Sequence, residues 1–356
     1  MNKSLLTLTI ISLSFTAFLS GYLISQKDFH RNPDTGYGSG NILDKFNGDS
    51  SRPSPPTYPS GAALLTSRDA VSPVLSKEKD SVIYYEKGTG RVFEVSLKDR
   101  HESSVSDVPL PNLIKTVWSP TTKEVASLFY GPRGNRYKYF SYRTKASVDL
   151  GEGITSLVFS PDGSQVAYFR GDGESGGVFI SQPDGSSAKK ILPSRLENVE
   201  LSWPSDDLLS LLADTANGSY LFGLSRTGDL KKILEVTDKI EVRWSGNSSK
   251  VLFSKRENSV VNLYYKDIAS GVETPLNVST SASKCAWSID SKTVVCGVPR
   301  SSASGDEFYE IGLDGSKKLI ASPSMRINTA ELELAGLDDY IVILNSLDNK
   351  LYVLKK

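Results

Sequence analysis

The side chains that most often carry chemistry are scarce in this chain of 356 residues. It has two histidines, His30 and His101, and two cysteines, Cys285 and Cys296. A zinc site of three or four His/Cys ligands has too few donors. A Ser-His-Asp or Cys-His site would have to use His30, beside an apolar segment, or His101, in a polar loop. The sequence therefore predicts no catalytic residue, no metal and no cofactor. Carboxylates remain as the other reactive class. Two of them acting on a glycosidic bond must converge at roughly 5–9.5 Å, and Glu200 and Glu241 are the pair to inspect.

Composition narrows the function classes. Lys+Arg and Asp+Glu both count 41, so the formal charge is zero. That balance excludes the basic excess of a general nucleic-acid binder. With 38% hydrophobic and 23% charged residues, the chain suits short strands joined by polar turns rather than large apolar helices.

The first 60 residues read as an address. Leu5 to Ile24 is a run of 20 residues without a charge. As a helix it would rise about 30 Å, the thickness of a bilayer's hydrocarbon core. Residues 1–30 are expected to hold a retained membrane anchor; a cleaved signal, leaving a secreted or periplasmic protein, is the alternative. Leu19-Ser20-Gly21 is followed by Tyr22 and not by cysteine, so no lipid attaches there. Basic residues flank both ends, Lys3 on one side and Lys27 and Arg31 on the other, and give no orientation. A large domain after a short N-terminal tail is usually exported, which predicts an extracytoplasmic location. Residues 31–60 contain five Pro, four Gly and five Ser, a tether composition.

From residue 61 a unit repeats. A hydrophobic-small pair marks the end of one strand in each copy: Leu75-Ser76, Trp118-Ser119, Phe159-Ser160, Trp203-Pro204, Trp244-Ser245, Trp287-Ser288 and Leu334-Ala335. The spacings run from 41 to 47 residues, the period of propeller blades. The third unit shows the pattern best: strands at Ile154–Phe159, 165–169, 178–181 and 189–192. Ser160-Pro161-Asp162-Gly163 and Pro183-Asp184-Gly185-Ser186 supply the turns. Runs such as Val251-Leu252-Phe253 lack clean alternation, as expected of sheets buried on both faces. The last unit lacks a fourth strand, while Ala62-Ala63-Leu64-Leu65 is a strand without a blade. Placing it on the last blade closes a ring of seven four-stranded blades over 61–356.

The Ser-Pro-Asp-Gly-Ser turn after an aromatic, followed by Val166-Ala167-Tyr168, resembles the WD-repeat-like propellers of the TolB type and those of dipeptidyl peptidases. Only the third unit carries it intact; Trp118-Ser119-Pro120, Trp244-Ser245-Gly246 and Trp287-Ser288-Ile289 keep its outline. The resemblance implies an all-β propeller. Peptidases of this kind add a hydrolase domain, for which no residues remain, and no nucleophile elbow is expected. The sialidase box S-x-D-x-G-x-T-W is also missing.

Three groups of residues become site candidates. The four tryptophans share one place in their blades and are expected to pack blade against blade, rather than to ring the channel. If Ser288 pairs with Thr293, Cys285 stands opposite Cys296 on neighbouring strands. Opposed residues approach closely enough for a disulfide in an oxidising compartment, and two buried thiols are the alternative, slightly favoured because cysteine is a common core residue. The loops after each second strand and between blades share one rim. They hold Arg133, Arg136, Tyr137, Asp172, Glu174, Arg256 and Arg300, the chemistry of polar partner recognition. The expected function is a membrane-anchored, non-catalytic binding or scaffold module for a protein, peptide or glycan of the cell envelope. The alternative is a glycan hydrolase or lyase using channel carboxylates.

Overall fold

The computed structural model describes residues 61–132, 134–171, 173–300 and 305–356. The expected anchor, Leu5–Ile24, and the tether at 31–60 lie outside the described residues, and among those described no helix is long and apolar enough to cross a membrane.

The strands assemble into seven antiparallel sheets of four. Blade 1 is Ala70–Leu75, Ser81–Glu86, Val92–Ser96 and Glu102–Ser106. Blade 2 is Leu113–Trp118, Glu124–Phe129, Arg136–Ser141 and Ser147–Asp149. Blades 3 to 6 span 154–193, 199–236, 242–275 and 285–321. Blade 7 takes three strands from the C-terminal end, Thr329–Ala335, Tyr340–Asn345 and Leu351–Lys355, and its outermost strand from Ala63–Leu64. The register of closure is Ala63 opposite Val353 and Leu64 opposite Tyr352. Seven blades and the closing strand follow the sequence expectation.

Side chains alternate across each sheet, so every strand feeds two cores. In the second strand of blade 2, Val125 packs toward blade 1, while Ala126 and Leu128 pack toward blade 3. Seven such clusters, one per interface, complete the ring. Burying a large apolar side chain this way contributes about 1.5–3 kcal/mol.

The marker serine has a mechanical role. Ser160 Oγ accepts the Gln165 N–H at 3.0 Å and donates to Asp162 Oδ1 at 2.6 Å. Ser288 does the same with Thr293 and Asp290, and Ser245 with Lys250 and Asn247. One hydroxyl thus locks the turn from inside, which is why a small polar residue follows the aromatic. Ser160, Ser164 and the Ser164 N–H hold the Asp162 carboxyl down at about 2.

The tryptophans pack between blades, as expected, and three of them also tie one blade to the blade before it. The indole N–H of Trp118 donates to Ser72 O at 3.3 Å, that of Trp244 to Ser210 Oγ at 3.2 Å, and that of Trp287 to Arg243 O at 3.0 Å. Next to the closing strand, Glu102 accepts from Thr66 Oγ1, Tyr84 OH and Arg68 Nε, each at 2.7 Å. Arg68 reaches on to Glu86 at 2.8 Å and lies 4.0 Å above the Phe93 ring. Residues 63–68 are therefore held by blade 1 as well as by blade 7.

Candidate binding site

The third strand of blade 2 reads Arg136-Tyr137-Lys138-Tyr139-Phe140-Ser141. Its period of two sends Arg136, Lys138 and Phe140 to the face toward blade 1, and Tyr137 and Tyr139 to the core against blade 3. Phe129 and Ser127 stand beside them, paired with Arg136 and Lys138 across the strands. The facing part of blade 1 offers the small residues Val92 and Ser106, so the two walls do not meet. A cavity of about 670 Å³ remains, opening at the rim between Val108 and Tyr130. These two are 64% and 68% exposed, lips on a pocket rich in aromatic residues.

The floor is polar. Tyr85 OH and Tyr142 OH lie 3.1 Å apart, and Ser127 lines the cavity with them. Burial raises both phenols, so they stay protonated. On the wall, Arg136 lies 3.8 Å from Asp149 and also bonds Glu152. Lys138 Nζ sits 5.9 Å from the centre of the Phe129 ring, with no carboxylate within ion-pair distance among the described residues. The chemistry is that of a binding pocket: aromatic walls, a few placed hydroxyls and a cation.

The predicted rim residues separate. Arg136 lines this cavity. Tyr137, expected on the rim, is 0% exposed and is corrected to a core residue; adjacent strand positions cannot both face one surface. Arg133 and Asp172 lie outside the described residues. Glu174 contacts Arg195 at 3.2 Å in an open surface pair, which contributes little. Arg256 donates to Ser259 O at 3.3 Å and borders a second cavity. Arg300 is a brace: its guanidinium donates to Pro323 O and lies 3.9 Å from Glu307. His101 is exposed in a turn on the opposite face. Lys138, Phe129, Tyr130, Tyr85 and Tyr142 were missed. Strand parity on Arg136-x-Lys138-x-Phe140 was the available signal.

Glu200 and Glu241 do share a cavity, about 700 Å³ in the central channel, together with Arg243 and Glu331. Enclosure works to raise the Glu241 carboxyl, but hydrogen bonds from Ser281 and Ser283 and the Arg243 charge outweigh it, and the net direction is down. Glu331 is wetted by the channel yet enclosed by the ring, and enclosure raises its carboxyl against the pull of Arg243. Glu333 is raised by the same cause, with Arg243 at 3.6 Å.

Cys285 and Cys296 pair in the expected register and are joined, with Cα atoms 4.1 Å apart; the free-thiol alternative is replaced by the bond. Gly173-Glu174-Ser175-Gly176-Gly177 spells G-x-S-x-G, although no nucleophile elbow is expected from the sequence. It falls on a short 3-10 turn, Gly173–Ser175, leading into the strand Gly177–Ser181. A nucleophile elbow leads from strand to helix, so this one is a hairpin loop.

No family model and no curated protein matches the chain. Among solved structures, an oligogalacturonate lyase in complex with manganese is similar over 85% of this chain and 95% of its own, at 10% identity and TM-score 0.62. The Cps50 (Swd1) β-propeller domain of Myceliophteria thermophila is similar over 83% of this chain and 99% of its own, at 10% identity and TM-score 0.60. TolB from Acinetobacter baumannii aligns with 71% of this chain and 63% of its own, at 13% identity and TM-score 0.48. At such identities a likeness speaks of the fold. The chain is a seven-bladed β-propeller of WD-repeat-like architecture, the fold implied by its Ser-Pro-Asp-Gly-Ser turn.

Proposed function

We propose that this chain is a tethered, non-catalytic binding propeller that holds a protein, peptide or glycan partner outside the cytoplasm. The observation that carries the reading is the cavity between blades 1 and 2. It joins aromatic walls, exposed Tyr130 and the cations Arg136 and Lys138 at the rim where partners have access. Aromatics and arginine are the residues enriched where proteins bind. The membrane tether rests on Leu5–Ile24 and the Pro/Gly/Ser-rich 31–60. The Cys285–Cys296 bond supports an oxidising compartment.

The test is a photo-reactive phenylalanine analogue placed at Tyr130 in cells expressing the full chain. A control probe goes at Ile289, 53% exposed in a turn of the opposite face. The reading expects a discrete adduct from position 130 and none from 289. Equal labelling from both positions, or none from either, refutes it.

A second reading rests on one observation in the channel. Glu331 is pushed up and Glu241 down within one cavity. Environments that separate two carboxyls in this way suit an acid and a base acting on a glycan. Glycan cleavage abolished by both Glu331→Gln and Glu241→Gln, in variants that keep their thermal stability, would establish it.

A further inference from the structure

The same cavity carries more information than the presence of a partner. Arg136 is already held by Asp149 and Glu152. Lys138 makes no ion pair among the described residues, its cross-strand neighbour Asp149 lying near Arg136 instead, and it leans over Phe129 at 5.9 Å. An ammonium beside an aromatic wall completes its surroundings with a carboxylate brought by the guest. The floor asks for the same. Tyr85 and Tyr142 are two hydroxyls sharing one bond. One O–H is left to donate, and a carbonyl or carboxylate accepts it. The remaining lining is mainly apolar and aromatic, with Ser106, Ser147 and Asp149 as its polar members and Tyr130 at the mouth.

The border of the cavity identifies how such a guest arrives. Ser106, which lines it, ends the outermost strand of blade 1, Glu102–Ser106. That strand is last in its sheet, and Ser103, Ser104 and Val105 are exposed. It carries neither proline nor lysine, and its one interruption is a bulge at Val105. An extended chain pairing with such an edge gains main-chain hydrogen bonds and sends alternate side chains toward the sheet's neighbour.

Building on the binding reading, we propose that the blade 1–blade 2 cavity receives an aromatic side chain with an adjacent carboxylate, presented by a partner peptide lying along the Glu102–Ser106 edge.

The test uses the full chain and four short blocked peptides, with binding measured by calorimetry. The first has one tryptophan flanked by aspartates. The second carries lysines in place of the aspartates, and the third alanine in place of the tryptophan. The fourth is the first peptide N-methylated at alternate amides. The acidic peptide is expected to bind at least tenfold more tightly than each of the others. Lys138→Met is expected to lose about tenfold for the acidic peptide, and Lys138→Glu to reverse the order of the acidic and basic peptides. Phe129→Ala weakens both while Lys138 stays in place. Thermal stability of each variant confirms that the fold is kept. Three results overturn the proposal: no saturable binding of the acidic peptide, an order of peptides that Lys138→Glu leaves unchanged, or equal binding of the N-methylated peptide. If position 130 still forms its adduct while the peptides fail, this inference falls and the binding reading stands. If both fail, both fall.

Discussion

Lys284→Met should unfasten blade 7 from blade 6. Asp306 opens the third strand of blade 6 and is 2% exposed. Its two carboxylate oxygens each lie 3.1 Å from Lys284 Nζ, and Oδ2 also accepts the Thr329 N–H of blade 7 at 2.7 Å. Lys284 reaches in addition to Asn328 Oδ1 at 2.8 Å. The methionine variant leaves a buried carboxylate with one donor. Removing one partner of a buried ion pair costs about 3–5 kcal/mol. Because the Lys284 side chain is 17% exposed, water replaces part of its role, and the lower end, about 3 kcal/mol, is expected. At about 2 °C per kcal/mol for a large domain, Tm should fall by roughly 6 °C. Asp306→Asn keeps an acceptor for Thr329 and leaves an ammonium able to reach water, so it should cost less, about 1–2 kcal/mol. The two changes share one interaction, so the double variant should cost at least about 1 kcal/mol less than their sum. Urea unfolding of the four proteins measures the cycle. A Lys284→Met cost under about 1 kcal/mol, or strict additivity, would show that the pair does not hold the blades and refute the reasoning.

Acid should loosen the turns. Asp162 is held at about 2 by Ser160 and Ser164, and Asp290, Asp184 and Asp314 are lowered by their own serines. A carboxyl depressed on folding contributes stability above its unfolded value, near 3.8, that is lost as pH falls toward its folded value. Tm should therefore drop between about pH 4 and pH 2, and Asp162→Asn should show a shallower drop; parallel pH curves for the two proteins would contradict this. Denatured, unreduced protein should show no thiol reactive to Ellman's reagent. Replacing both Cys285 and Cys296 by serine should cost about 3 kcal/mol in the chain-entropy picture, given their separation of 11 residues. A membrane-impermeant maleimide should label Ser51→Cys in intact cells when both native cysteines are serine; labelling only after lysis would place the propeller in the cytoplasm.

The architecture was legible in the sequence because blades are local objects. A strand, a Ser-locked turn and its partner strand lie within some 40 residues, so the period, the four strands and the 285–296 register follow from residues near one another in the chain. Even the closing strand announced itself, since 62–65 had strand character and the last unit lacked a partner. The binding cavity had no such signal. It exists because Val92 and Ser106 of one blade are too small to meet the wall carrying Phe129, Lys138 and Phe140 of the next. Loop composition grouped Arg136 with Tyr137; the pleat of the strand sends them to opposite faces, one into the cavity and one into the core. The channel carboxylates converge from blades far apart in sequence, and enclosure by the whole ring moves Glu331 one way while local serines move Glu241 the other. Hydrogen bonding and hydrophobic alternation act between near neighbours and leave their mark on the sequence. The gap between two walls, and the solvation of a group inside a ring, depend on residues that only folding brings together.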